Sequence, residues 1–270
     1  MIRLICLGIL FGMSIPASGK SPGMVELLMN STFKITSKPD PLGRINFGTG
    51  FILGLPLKEN PNQGKTILVT AHHVFDSIKG DTALIWLRKK SKDTYKVYPF
   101  PFKIRSKGKA IWSRPVDPII DIAAIAVSLP VDAGFSPLSI DALADEDAFR
   151  TFNLQPGDQL FCLGYPLGIA NANGEFPILR SGKIASYPVI PFAINKAIVY
   201  DFAIFSGNSG GPVYFSEKGR VYNDTLHLDK EINFIAGLVT HRVETNQKES
   251  LQLGLVMPSP YIKAVLRNMN

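Results

Sequence analysis

Short runs rich in β-branched and aromatic residues alternate along the chain with clusters of glycine, proline, asparagine and aspartate, the pattern that strands and their turns leave in a sequence. It predicts strands at residues 31–36, 49–55, 65–70, 82–87, 95–104, 122–128, 159–163, 178–184, 197–204, 211–215, 233–239 and 251–256. Helical patterning is confined to residues 24–29, 72–78 and 258–269, and an acidic, alanine-containing stretch at 141–149 suits a short helix. Strands on both sides of a connection near residues 130–155 imply two similar β units, one over residues 20–140 and one over 141–270.

Composition fits a folded protein of this kind. With 46% hydrophobic and 19% charged residues over 270 positions, the chain is too apolar for disorder and long enough to bury a sizeable core. The first residues stand apart. Met1-Ile2-Arg3 precedes an apolar run from Leu4 to Met13 and the small-residue end Ala17-Ser18-Gly19, which predicts a signal peptide over residues 1–19 and a mature start at Lys20. The apolar run is too short to span a bilayer core of roughly 30 Å. An exported protein, periplasmic or extracellular, with no stable membrane insertion after cleavage is therefore expected. Cys6 lies in the signal, so Cys162 is left without an intramolecular partner, and its apolar surroundings Leu160-Phe161-Cys162-Leu163 predict a buried structural thiol. The net charge of +7 is concentrated in Arg88-Lys89-Lys90-Ser91-Lys92 and in residues 103–109. These runs read as solvated hairpin tips and loops, with no nucleic-acid partner expected.

Three segments carry chemistry. In Phe205-Ser206-Gly207-Asn208-Ser209-Gly210-Gly211-Pro212-Val213 a serine sits among glycines between two apolar strands. Nucleophilic catalysis needs such an exposed hydroxyl with main-chain N–H groups nearby, although a plain glycine-rich turn has the same look. Leu68-Val69-Thr70-Ala71-His72-His73-Val74 presents two histidines at a strand end. Neighbours on a strand point to opposite faces, which disfavours a shared metal. Asp121 opens the apolar run Ile122-Ala123-Ala124-Ile125-Ala126-Val127, where a carboxylate is costly unless a histidine N–H or similar group donates to it. Asp117 competes for that role but precedes Pro118 in an expected turn.

Thr70-Ala71-His72-His73-Val74, Asp121-Ile122-Ala123 and Gly207-Asn208-Ser209-Gly210-Gly211-Pro212, in that order, resemble the His, Asp and Ser blocks of trypsin-like serine peptidases. Gly48-Thr49-Gly50-Phe51-Ile52, Gly157-Asp158, Gly164-Tyr165-Pro166-Leu167-Gly168, Ser181-Gly182-Lys183-Ile184 and Gly254-Leu255-Val256-Met257-Pro258-Ser259 are similar to segments of the HtrA (DegP-like) protease domain. The resemblance covers residues 30–266; with no PDZ domain after the last helix, peptide-sensing regulation is not expected. It implies an all-β, chymotrypsin-like fold of two antiparallel six-stranded barrels with a C-terminal helix. It also implies a catalytic set of His73 as general base, Asp121 orienting it and Ser209 as nucleophile. The backbone N–H groups of Gly207 and Ser209 would hold the oxyanion, with His72 as a structural neighbour and no metal or cofactor. The partner it implies is a protein or peptide substrate.

The residue six positions before the nucleophile, acidic in relatives that cut after basic residues, is Ala203 here, so a basic preference is not expected. Ala203 and Ile204 favour a small or medium aliphatic side chain, whereas the opposite pocket wall, Thr240-His241-Arg242, would favour an acidic one; the aliphatic reading is preferred. No Ile-Val-Gly-Gly activation segment is visible, so activity without such a cut is expected. One rival is a catalytically silent module of the same fold that binds peptides or a partner. An α/β hydrolase is a second rival, since Gly207-Asn208-Ser209-Gly210-Gly211 contains Gly-x-Ser-x-Gly, but its chain order of Ser, acid, His is the reverse of the one found here.

Overall fold

The computed structural model describes residues 23–57, 59–60, 63–244 and 250–269; the expected signal peptide lies outside them. In chain order come α1 (Met24–Ser31), β1 (Thr32–Thr36), β2 (Phe47–Pro56), β3 (Gly64–Thr70), α2 (His72–Ser77), β4 (Thr82–Ser91) and β5 (Thr94–Lys103). A small hairpin, β6 (Arg105–Ser106) with β7 (Lys109–Ala110), precedes β8 (Ala123–Ala126), β9 (Leu138–Ser139) and α3 (Glu146–Thr151). Then follow β10 (Gln159–Gly164), β11 (Ile178–Ile184), β12 (Ile198–Asp201), β13 (Pro212–Tyr222), β14 (Thr225–Glu244), β15 (Ser250–Pro258) and α4 (Ser259–Arg267).

Two sheets result, and the chain passes from one to the other through the α3 connection. The first has the order β5-β4-β1-β2-β3-β8, with β9 added beside β2 in parallel. The second closes into a barrel, β10-β11-β12-β15-β14-β13, with every pairing antiparallel. The mostly β, two-unit architecture with a terminal helix matches the expectation from sequence; the seventh strand of the first sheet, β9, is two residues long and too short to leave a period-two signal. The C-terminal helix does not keep to the second unit. Its stripe of Ile262, Val265 and Leu266, at helical spacing, is buried in the core formed chiefly by the first sheet, with Phe33, Phe51, Leu68 and Ile125.

Two arginines depart from their predicted setting. Arg88, read as part of a solvated tip, is only 1% exposed. Its guanidinium lies between the rings of Phe33 and Phe176 and donates to the carbonyl oxygens of Met29 and Thr32 and to the Tyr165 hydroxyl, joining the end of α1 to a loop of the second unit. Arg105 likewise turns inward and donates to the carbonyl oxygens of Phe75, Ile78 and Gly80 at the end of α2. In both cases main-chain carbonyls at or just beyond a helix end accept from the cation in place of water. Lys89 and Lys90 do remain exposed.

Candidate active site

The candidate residues come from both units. His73 lies in the first turn of α2, directly after β3, Asp121 lies just before β8 beside it, and Ser209 lies in the turn before β13. The two histidines open a helix, as the patterning over residues 72–78 predicts, and they diverge because successive helical residues are rotated by about 100°. His72 turns away, with Trp112 Nε1 at 3.1 Å from its Nδ1 and Arg114 Nη1 at 2.9 Å from its Nε2. His73 turns to Asp121. Its backbone N–H donates to Asp121 Oδ1 at 3.0 Å, and its Nδ1 is 2.6 Å from Oδ2. Two bonds to one carboxylate fix both the ring's orientation and its tautomer, leaving Nε2 free on the far side. Asp117, the competing acid, instead pairs with Lys196 and accepts from the Ile119 N–H.

Asp121 is buried, which alone would raise its carboxyl pKa, but the hydrogen bonds and charge of His73, with a smaller effect from His241, outweigh burial and hold it below the usual carboxylate value. A depressed native pKa stabilises the fold fully above the unfolded value of about 3.9 and loses that contribution as pH falls toward the native one. Asp121→Asn is therefore expected to flatten the acid limb of stability below about pH 4–5, measured as urea midpoints across pH; an unchanged slope would show that the carboxylate contributes nothing.

Sequence reasoning assigned His241 to a pocket wall; its ring lies against that of His73, centroids 4.6 Å apart, with Nδ1 3.5 Å from Asp121 Oδ2. Burial and the neighbouring His73 lower its pKa. His73, Asp121 and His241 bring potential metal-ligand atoms within 4.8 Å of one another, although a metal there would have to break the short His73–Asp121 bond. Thr240 is buried and its hydroxyl donates to the Leu255 carbonyl, so what it offers the site is its own carbonyl oxygen. That oxygen accepts from Ser209 Oγ at 2.8 Å; no hydrogen bond joins Ser209 to His73. Ala203 is half-buried in the segment after β12, and Arg242 pairs through its backbone with Gly254.

The loop carrying Ser209 is held by its backbone. Asn208 N–H donates to Phe205 O, Gly210 N–H to Val239 O and Gly211 N–H to Asn208 O. The Ser206 carbonyl accepts from Leu167 N–H at 2.7 Å. Because a trans peptide sends its N–H opposite to its carbonyl, that bond turns the Gly207 N–H the other way. Neither it nor the Ser209 N–H has an acceptor among the described residues. Two unpaired donors flanking a serine are what an oxyanion needs. Thr49, which sequence reasoning passed over, locks the loop to the first sheet. Its hydroxyl donates to Gly207 O at 2.6 Å and accepts from Tyr165 N–H, and its N–H donates to Ser209 O. A threonine between two glycines within an apolar strand was the available signal.

Cys162 is buried, as expected, and burial pushes its thiol pKa up to about 12, which disfavours the reactive thiolate.

A family model described as a trypsin-like peptidase domain matches residues 48–222. A candidate serine protease, HhoA, of Synechocystis sp. is 27% identical over 161 residues, which cover 58% of this chain and 37% of that protein; the chain thus spans well under half of the relative's length.

Proposed function

The chain belongs to the trypsin-like peptidase family, and on that premise we propose that it is an exported serine endopeptidase that works through an acyl-enzyme, with His73, Asp121 and Ser209 as its catalytic set. The observation that carries this reading is the doubly bonded His73–Asp121 pair, with the free N–H groups of Gly207 and Ser209 at the same junction of the two sheets.

Ser209 Oγ forms a bond to the scissile carbonyl carbon while His73 Nε2 takes the hydroxyl proton, and the charge that develops on the carbonyl oxygen is met by the two N–H groups. Collapse breaks the C–N bond, and His73 returns the proton to the leaving amine. Water then hydrolyses the ester by the same relay in reverse. Asp121 stays ionised throughout and stabilises the imidazolium, which suits its depressed pKa. Cleavage after basic residues is not expected, since no carboxylate replaces Ala203 at its position.

One observation favours the second reading, a silent binding module: Ser209 donates to the Thr240 carbonyl and not to His73. Catalytic hydrogen bonds are often loose before substrate arrives, so the missing Ser209–His73 bond does not by itself exclude catalysis. Labelling with a fluorophosphonate probe tests the choice. The exported protein should carry the adduct on Ser209, located by peptide mass analysis that also reads the mature N-terminus at Lys20, and Ser209→Ala should not label. A folded wild type that never labels would establish the binding module instead.

A further inference from the structure

Arg180 belongs to neither the fold's ion pairs nor the catalytic set. It lies on β11 opposite Cys162, which in turn lies opposite Val213, and both of those side chains are buried in the core of the second barrel. Residues opposite each other on adjacent strands share a face, so Arg180 points inward, while its neighbours Leu179 and Ser181 are exposed. An inward cation is costly unless something is gained from it. Here the guanidinium sits near the rings of Phe202 and Phe205, 5.2 Å from each centroid, and one nitrogen, Nη1, donates to the Ala203 carbonyl. No carboxylate among the described residues pairs with it. Its other nitrogens are not among the sealed, partnerless polar atoms, so they reach solvent.

The surroundings place this cation beside the nucleophile's loop. Phe202 to Phe205 lead directly into the turn that carries Ser209, and Phe205 is 38% exposed. On the other side, a Cβ at Gly254 would fall 2.1 Å from Ile204 Cδ1, so Ile204 fills the space against β15 and shortens any cavity there. What remains is a half-buried positive charge flanked by two aromatic rings, with its forked donors largely unused.

Resting on the peptidase reading, we propose that Arg180 is a specificity-determining residue that receives the side-chain carboxylate of a glutamate or aspartate preceding the scissile bond. A guanidinium and a carboxylate match as two parallel N–H···O bonds, and the partly desolvated aromatic setting strengthens them. The same charge repels lysine and arginine at that position, and the Ile204 contact leaves little depth for a long apolar chain.

The test uses matched peptides differing only at that residue, Glu, Gln, Val or Lys, with wild type, Arg180→Met and Arg180→Lys, each first verified as folded by its melting temperature. Wild type should prefer Glu to Gln by at least about tenfold in kcat/KM. Arg180→Met should abolish that ratio while turning over the Val peptide within about threefold of wild type, and Arg180→Lys should retain part of it. A Glu:Gln ratio unchanged in Arg180→Met, or a wild type that prefers Val or Lys to Glu, overturns the proposal; the wild-type ranking alone decides the matter if the variants do not fold. Absence of cleavage together with an unlabelled Ser209 overturns the peptidase reading and this inference with it, whereas a labelled Ser209 without acidic preference overturns this inference alone.

Discussion

Alanine at His73 is expected to lower kcat by about a millionfold, and removing Ser209 in the same chain is expected to cost almost nothing more, because a nucleophile and its base act as one unit. The hydroxyl of Ser209 is a poor nucleophile until a base takes its proton, and the base has no other task once the serine is gone. KM should change little, since the imidazole binds no remote part of the substrate. The residual rate of either mutant comes from the Gly207 and Ser209 N–H groups, whose backbone positions neither change disturbs. Single-turnover kinetics of wild type, His73→Ala, Ser209→Ala and the double mutant measure the coupling. Losses that add in the double mutant would mean that the two side chains do not cooperate, and the catalytic assignment would fall. The melting temperature of Ser209→Ala should stay close to wild type, because the Ser209 side chain contributes one hydrogen bond to the fold, to the Thr240 carbonyl, whereas His73→Ala should melt lower, because it leaves the buried Asp121 carboxylate without its ring partner.

Gly210→Ala is expected to lower stability by more than about 3 kcal/mol and to erase labelling of Ser209 in whatever protein still folds. Gly210 has φ +86, and an added Cβ would fall 2.1 Å from both the Thr49 carbonyl oxygen and Thr70 Oγ1. Those two atoms are bonded to each other, since the Thr70 hydroxyl donates to the Thr49 carbonyl, and Gly210 itself is tied by its N–H to Val239. No flexible side-chain end can yield; a strand or the loop must move. Urea unfolding measures the loss. A variant with near-wild-type stability and normal labelling would mean that the loop is not locked to the first sheet as these contacts require.

Part of this candidate site was legible in the sequence. Each segment alone has a structural explanation, the serine's a plain glycine-rich turn, and it is the resemblance to trypsin-like peptidases, three blocks in one chain order, that names His73, Asp121 and Ser209; the structure brings the His73–Asp121 pair together. The strand Ile178–Ile184 was placed to the residue, its exposure alternating along its length as a half-covered strand requires. The extension of β13 and β14 beyond residues 215 and 233 was missed: residues 216–232 are mostly polar, and the pairing there relies on backbone bonds that leave no apolar period. Arg88 and Arg105 were misplaced for a different reason. Nothing local distinguishes a lysine-rich tip from an arginine reaching back to helix-end carbonyls across dozens of residues. His241 is a similar case, whose role depends on which strands of the two units meet.

The α4 helix gives the molecule a particular order of assembly. Ile262, Val265 and Leu266 complete a core whose other members are mostly strands of the first half, so a nascent chain that has emerged only as far as β9 still exposes apolar surface that nothing yet synthesised can cover. Contacts between the first sheet and the last helix span a long sequence separation, which slows folding relative to a fold of local contacts. Residues from both sheets, among them Leu163, Tyr214, Ile235 and Leu238, share that same core. Until the helix docks, the core of the first sheet keeps an apolar face open to proteases and chaperones, while the second barrel has a core of its own.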